Sequence, residues 1–191
     1  YNHFKKFTFT PEQHIELAKK CKNAGKDYLA SVWDIEALDW IDEYSKMYKI
    51  GSGDLTAYSI IEKIAAIGKP IILSTGLSTF DEVCQTVKFI QKTNSIYDNK
   101  EMLCVLQCTS MYPIPESEAN LNILETFKKE FRVTIGYSDH TEDIEALYLA
   151  AITEADVLEF HFTDTKEGKT FRDHKVSLTK DDIDLLVNKI N

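Results

Sequence analysis

Helix-type and strand-type patterns alternate along this chain from end to end, and this alternation limits the possible folds more than any other feature. Short runs rich in Ile, Leu and Val are separated by segments in which apolar residues recur at helical spacing. Strands that are each followed by a helix are typical of a parallel sheet covered on both faces. The chain is therefore predicted to be an α/β protein. The predicted strands are residues 28–32, 47–51, 70–75, 102–108, 133–138 and 156–162.

The ends of the predicted helices are marked by residues that start or stop helices. Thr10 with Gln13, and Thr79 with Glu82, have the spacing of capping boxes, in which the first side chain caps a helix. Gly68 is placed to close a third helix, because glycine readily adopts the left-handed conformation that ends many helices. These signals support the alternating pattern.

Two architectures fit six strands of this kind, namely an open doubly wound sheet and a (β/α)8 TIM barrel. The chain lacks the Gly-x-Gly-x-x-Gly turn of dinucleotide-binding open sheets. Nearly every predicted strand ends in polar groups, and only in a barrel do all strand ends meet at one rim. We therefore expect a TIM barrel truncated to about six βα units, with the first two strands missing before Tyr1. The strand-end groups are Ser31, Lys49, Ser52, Asp54, Ser74, Thr75, Gln107, Thr109, Ser138, Asp139, His140, Glu159 and His161.

Composition excludes several classes of function. The 191 residues include 22 Lys and Arg against 31 Asp and Glu, a net charge of −9 that argues against nucleic-acid binding. No apolar run approaches the roughly 20 residues of a membrane span, and no signal peptide is evident. Cys104 and Cys108 lie in an apolar run, where core packing is the favoured interpretation. A cytoplasmic protein without membrane or nucleic-acid partners is expected.

A candidate metal site lies at the end of the last predicted strand. Glu159 and His161 share one face of that strand, where an acid and an imidazole are costly to bury without partners. His140 follows the neighbouring strand, so the two imidazoles can meet at a barrel rim. Imidazoles with nearby oxygen ligands suit Mn²⁺, Mg²⁺ or another divalent ion.

A candidate anion site lies around Lys49, which sits in an apolar strand leading into residues 51–54. The glycines of this Gly-Ser-Gly-Asp segment allow backbone N–H groups to approach an anion. Ser52, with Ser74 and Ser138 on other strands, would add hydroxyl donors. These residues are predicted to form a cradle for phosphate and carboxylate groups.

Six motifs, taken together, resemble the sialic acid synthase family, which includes the N-acetylneuraminate, legionaminic acid and pseudaminic acid synthases. Members are TIM barrels, usually followed by a small antifreeze-like domain. They are transferases that condense phosphoenolpyruvate with an N-acyl amino sugar, such as N-acetylmannosamine, and release phosphate. A divalent metal, often Mn²⁺, polarises the sugar aldehyde. The motifs are KIGSGD (49–54), GKPIILSTG (68–76), LQCTSMYPIP (106–115), GYSDHT (136–141), EFHFT (159–163) and DHKVSL (173–178).

The resemblance implies roles for individual residues. His140 and His161 correspond to the metal ligands. Tyr112 and Asp173 resemble residues that contact the sugar, and Asp54, Glu159 and Asp173 are the expected catalytic carboxylates. The expected phosphoenolpyruvate-binding residues are Lys49, Ser52, Ser74 and Ser138, with Ser110 and Ser31 at positions where other members often carry Asn and Thr.

The resemblance also implies that residues 1–191 are an incomplete TIM-barrel synthase domain without the antifreeze-like domain. We expect the full-length protein to be a homodimer and these residues alone to be inactive. Two alternatives stay open: another aldol-type barrel enzyme, and a non-catalytic remnant that at most binds a ligand or a partner.

Overall fold

The computed structural model describes residues 8–191. Its centre is a five-stranded parallel sheet in the sequential order β1 to β5, curled like half of a barrel. A separate pair of short parallel strands, β6 and β7, follows. The strands are β1 (Tyr48–Ile50), β2 (Ile71–Ser74), β3 (Leu103–Cys108), β4 (Thr134–Ser138), β5 (Val157–Glu159), β6 (His161–Phe162) and β7 (Ser177–Leu178).

Helices connect the strands of the sheet, as the alternating pattern predicts. Within the described part of the chain, every helix falls short of the length and apolar character that a membrane span requires. Short 3-10 helices lie at Ser52–Asp54, Ser95–Asp98, Lys100–Met102 and Glu116–Glu118. The α-helices are α1 (Pro11–Asn23), α2 (Glu36–Ile41), α3 (Tyr58–Ile67), α4 (Phe80–Thr93), α5 (Asn122–Glu130), α6 (Glu145–Ile152), α7 (Asp173–Val176) and α8 (Lys180–Ile190).

The predicted helix signals are confirmed. The hydroxyl of Thr10 accepts from the backbone N–H of Gln13, and that of Thr79 accepts from the N–H of Glu82, so both capping boxes form. Gly68 follows α3 with a φ of 81°, the left-handed conformation in which a side chain would be strained. These local contacts place the beginnings of α1 and α4 and the end of α3.

The core lies between the sheet and its helices. Leu73, Val105 and Ile135 are register partners on β2, β3 and β4, and each is at most 1% exposed. Ile64 of α3 and Leu124 of α5 belong to the same buried cluster. Burying one such side chain contributes about 1.5–3 kcal/mol, so this cluster holds the strand register in place.

Two predicted strands differ from the structure. Residues 28–32 form only one isolated bridge, between Ser31 and Lys49. Residues 156–162 do not form one strand, because pairing with β4 ends at Glu159, opposite the last residue of β4. Beyond that point His161 and Phe162 pair instead with β7, a strand that the sequence patterns did not predict.

Gly136 of β4 lies where an added side chain would overlap its neighbours. A Cβ at this position would overlap the carbonyl oxygen of Val157 and a methyl group of Leu106. We predict that Gly136→Ala lowers the free energy of unfolding by about 1–3 kcal/mol, because the neighbouring backbone must shift. Gly53→Ala is the matched control, since a Cβ there would meet no described atom within 4 Å. Urea unfolding checks this, and equal midpoints for the two variants would contradict it.

Candidate functional site

A pocket of about 470 Å³ lies where the strands of the parallel sheet end. The carboxyl ends of β1 to β5 and the segments that follow them contribute to it, which is where barrel enzymes place their sites. The described lining residues are Trp33, Lys49, Gly51, Ser52, Gly53, Asp54, Ser74, Cys108, Ser110, Tyr112, Ser138, His140, Glu159 and His161.

Strand register brings three of these side chains side by side. Cys108 of β3 pairs with Ser138 of β4, which pairs with Glu159 of β5. Register partners in a parallel sheet point to the same face, so all three side chains face the pocket. Cys108 and Val105 are three residues apart, so they lie on opposite faces and Val105 packs in the core.

A series of polar side-chain contacts lines the base of the pocket. The Lys49 ammonium donates to Ser74 Oγ at 2.7 Å and lies 3.4 Å from Glu159 Oε1. The same carboxylate oxygen accepts from Ser138 Oγ at 2.8 Å. Lys49 is only 9% exposed, and a buried ammonium is costly without such partners. One positive charge is therefore held at the junction of β1, β2, β4 and β5.

Ser52 and Ser110 approach each other next to Gly76. The backbone N–H of Gly76 donates to Ser52 Oγ at 3.0 Å. A Cβ at position 76 would overlap Ser110 Oγ and lie 2.9 Å from Ser52 Oγ. A residue without a side chain therefore lets both hydroxyl groups lie at one side of the pocket, with half-buried Asp54 two residues beyond Ser52.

His140 is buried in the pocket wall with a defined tautomer. Its Nδ1 lies 3.0 Å from the carbonyl oxygen of Thr109, which can only accept, so Nδ1 carries the proton and Nε2 keeps a lone pair. Burial lowers the pKa of His140 and so favours the neutral ring. The centroids of the His140 and His161 rings are 5.2 Å apart, and the Tyr112 ring lies 4.0 Å and 5.6 Å from them.

The two imidazoles fit part of a divalent-cation site. A neutral ring with an outward-facing lone pair is the form that binds a metal. Among residues 8–191, no group of three or more His, Cys, Asp or Glu side chains has an arrangement that could hold a metal ion. The described side chains thus offer two neighbouring imidazoles rather than a complete ligand set.

The Arg172 guanidinium lies over the ring of Tyr112. The guanidinium lies 4.9 Å from the centre of the Tyr112 ring, and Arg172 Nε is 3.3 Å from Asp173 Oδ1. Burial raises the pKa of Tyr112 to about 12, so its hydroxyl stays protonated at neutral pH. Asp173 therefore belongs to the surroundings of Tyr112 rather than to the pocket wall.

Most residues predicted from the sequence reach this pocket. Lys49, Ser52, Asp54, Ser74, Ser110, Tyr112, Ser138, His140, Glu159 and His161 line it. Two predicted residues are outside the described lining. Ser31 is exposed and pairs with the backbone of Lys49, and Asp173 contacts Arg172.

Two lining residues were missed. Trp33 follows the predicted strand 28–32 and is 74% exposed, so the rule that strand ends build the site would have found it. Cys108 is buried, as the core interpretation predicts, yet its thiol also lines the pocket, with Sγ 4.0 Å from His140 Nδ1. Its place at the end of β3 was the available signal.

The chain is similar in sequence to proteins that are named as sugar-acid synthases. The model of the NeuB family matches residues 1–191. N,N'-diacetyllegionaminic acid synthase of Campylobacter jejuni is 35% identical over 181 residues, which cover 93% of this chain and 52% of that protein. N-acetylneuraminate-9-phosphate synthase of Mus musculus is 32% identical over 190 residues, which cover 98% of this chain and 51% of that protein. The chain thus spans about half the length of these curated relatives.

Solved structures agree with the fold. The N-acetylneuraminic acid synthetase of Leptospira borgpetersenii in complex with citrate matches with a TM-score of 0.87 and 27% identity. The match covers 95% of this chain and 62% of that chain. A DAHP synthase of Thermotoga maritima matches with a TM-score of 0.78 and 17% identity, a likeness of fold alone.

The reactivity of the buried thiols of Cys104 and Cys108 tests where the structure places them. Burial raises the pKa of Cys108, and it raises the pKa of Cys104 to about 12. Since only the thiolate reacts, we predict that iodoacetamide at pH 8 modifies both residues at least about 100-fold more slowly in the folded than in the urea-unfolded chain. Both rates should rise with pH. Half-buried Cys21 is the internal reference, and peptide mass spectrometry gives each rate. Equal rates for Cys108 in the folded and unfolded chains would contradict this placement.

Proposed function

The chain belongs to the NeuB family, and we propose that its pocket is the phosphoenolpyruvate and metal site of a nonulosonic acid synthase. The proposed reaction condenses phosphoenolpyruvate with an N-acyl amino sugar such as N-acetylmannosamine. Its products are a sialic or related nonulosonic acid and inorganic phosphate. Homodimer formation by the full-length protein and a cytoplasmic location remain predictions.

The observation that carries this proposal is the buried ammonium of Lys49 among hydroxyl groups. Lys49 contacts Ser74 directly, while Ser52 and Ser138 line the same pocket. A substrate with a phosphate and a carboxylate needs a positive charge and several donors in one place. This set of side chains supplies both kinds of contact, which supports phosphoenolpyruvate as the ligand.

Glu159 contacts two side chains of this anion site. Its carboxylate accepts from Ser138 and lies beside Lys49, so it holds both side chains in position before substrate binds. An incoming anion then shares the Lys49 ammonium with Glu159. We assign Glu159 an orienting role in the anion site.

His140 and His161 would hold a divalent ion, Mn²⁺ or Mg²⁺. The bound ion would withdraw electrons from the carbonyl carbon of the sugar aldehyde. Thr109 fixes the His140 ring so that Nε2 is free to bind, and the neutral state favoured by burial suits this role. The same pocket thus has room for both reactants, with the anion beside Lys49 and the aldehyde beside the histidines.

The proposed reaction needs one new C–C bond and the loss of phosphate. C3 of phosphoenolpyruvate attacks the aldehyde carbon, and the aldehyde oxygen takes up a proton from solvent. Water then adds to the oxocarbenium ion at C2. The C2–O bond to phosphate breaks as the new C2 hydroxyl loses its proton to solvent and becomes the ketone. Half-buried Asp54 is, besides Glu159, the other carboxylate of the described lining, and we assign it to accept the proton of this water and return it to the leaving phosphate.

Phosphate release tests the proposal directly. The full-length protein is incubated with Mn²⁺, phosphoenolpyruvate and a panel of sugars, both N-acyl hexosamines and sugars without an N-acyl group, and free phosphate is measured. We expect release only when a suitable amino sugar is present, and none from residues 1–191 alone. Release that depends on a sugar without an N-acyl group would favour another aldol-type barrel enzyme. No release with any sugar, but retained phosphoenolpyruvate binding, would favour a non-catalytic protein.

Lys49→Met tests the anion site. Removing the buried charge should raise KM for phosphoenolpyruvate at least about tenfold, because a charge-assisted contact is lost, while KM for the amino sugar changes much less. Lys88→Met, at an exposed position on α4, is the matched control and should leave both values unchanged. Steady-state kinetics with each substrate varied in turn provides the comparison. Equal rises in both KM values for Lys49→Met would contradict the assignment.

A further inference from the structure

We propose that Asp139 is a positioning residue that holds His140 in the wall of the pocket. This inference rests on the proposed role of His140 as a metal ligand. Asp139 is 2% exposed and lies outside the described pocket lining, so it does not reach the substrates. It acts through the residue that follows it.

The Asp139 carboxylate accepts hydrogen bonds from both sides of His140 in the sequence. Oδ1 accepts from the Tyr137 hydroxyl at 2.9 Å and from the Thr141 N–H at 3.0 Å. Oδ2 accepts from the Thr141 hydroxyl at 2.7 Å. The carboxylate therefore ties the end of β4 to the residue just beyond His140, and His140 lies inside the closed segment.

Further contacts fix this segment to its neighbours. The Asp139 N–H donates to the Glu159 carbonyl at 2.9 Å, and the Ile114 N–H donates to the His140 carbonyl at 2.9 Å. With the backbone held on both sides, the His140 ring lies against Tyr112, and its Nδ1–H reaches the Thr109 carbonyl. The hydrogen bonds of Asp139 thus fix the backbone position from which the His140 ring extends. The contact with Thr109 determines which ring nitrogen faces the pocket.

A buried carboxylate with three donors could serve stability alone, so the test must separate positioning from stability. A stability role changes the free energy of unfolding and has no specific link to His140. A positioning role weakens metal binding only when His140 is present to be positioned. Outer contacts that orient metal ligands typically contribute about 10–100-fold to metal affinity.

Two substitutions at position 139 differ in how many of the hydrogen bonds of this side chain they remove. Asp139→Ala removes all three hydrogen bonds. Asp139→Asn keeps them in a modified form: the amide oxygen accepts from Tyr137 and the Thr141 N–H, and the amide nitrogen donates to the Thr141 hydroxyl. That hydroxyl can then donate to the carbonyl of Asp143, 3.3 Å away.

The measurement is binding of Mn²⁺ alone to the full-length protein, followed by the EPR signal of free Mn²⁺. We expect Asp139→Ala to raise the Kd about 10–100-fold and Asp139→Asn to stay close to the wild-type value. In a His140→Ala background, Asp139→Ala should cause no further loss. A wild-type Kd for Asp139→Ala, or the same loss in both backgrounds, would overturn the inference.

A second pair of variants covers the case in which Asp139→Ala does not fold. Thr141→Val removes one hydrogen bond to the carboxylate, and Thr141→Ser restores it. We expect weaker Mn²⁺ binding only for Thr141→Val, with a mixture of His140 tautomers in ¹H–¹⁵N spectra of the metal-free protein. Equal binding and equal spectra for the two variants would overturn the inference.

An error in the proposed function would give a different result from an error in the inference about Asp139. If His140→Ala binds Mn²⁺ as tightly as the wild type, His140 is not a ligand, and both the metal assignment and this inference are overturned. If His140→Ala loses binding while Asp139→Ala retains it, only the inference about Asp139 is wrong.

Discussion

In-register parallel pairing from β1 to β5 is the constraint on which the whole pocket depends. It aligns Cys108, Ser138 and Glu159 in one row and points all three side chains into the same space. A slip of one residue between β3 and β4 would turn Ser138 toward the helices and a core side chain toward the pocket. The buried apolar cluster opposes such a slip, so the packing that stabilises the fold also fixes the chemistry.

Lys49 is the electrostatic centre of this arrangement. A buried ammonium is tolerated because Ser74 and Glu159 satisfy it, and Glu159 in turn is held by Ser138. The same contacts keep the charge at the strand ends, where the proposed anionic substrate would bind. The contacts that stabilise the buried ammonium therefore also hold it at the proposed binding site. This explains why a lysine lies in an otherwise apolar strand.

The sequence predicts the central strands and most of the pocket, because both depend on local patterns. Apolar runs indicate strands, and the polar residue at the end of each run faces the rim, as Lys49 and His140 do. Features that depend on long-range geometry are not predicted by these local patterns. The break at Phe160 depends on where β4 stops, and the pocket-facing thiol of Cys108 depends on register with Ser138. The role inferred for Asp139 depends on hydrogen bonds that no spacing reveals.

In the proposed function, one pocket binds phosphoenolpyruvate at Lys49 and a divalent metal at His140 and His161. A crystal structure of the full-length protein with phosphoenolpyruvate and Mn²⁺ tests it most directly. We expect an anionic group of the substrate in contact with the Lys49 ammonium and the hydroxyls of Ser52 and Ser74, and Mn²⁺ bound to both imidazoles. Phosphoenolpyruvate bound away from Lys49, or Mn²⁺ bound without either histidine, would contradict the account.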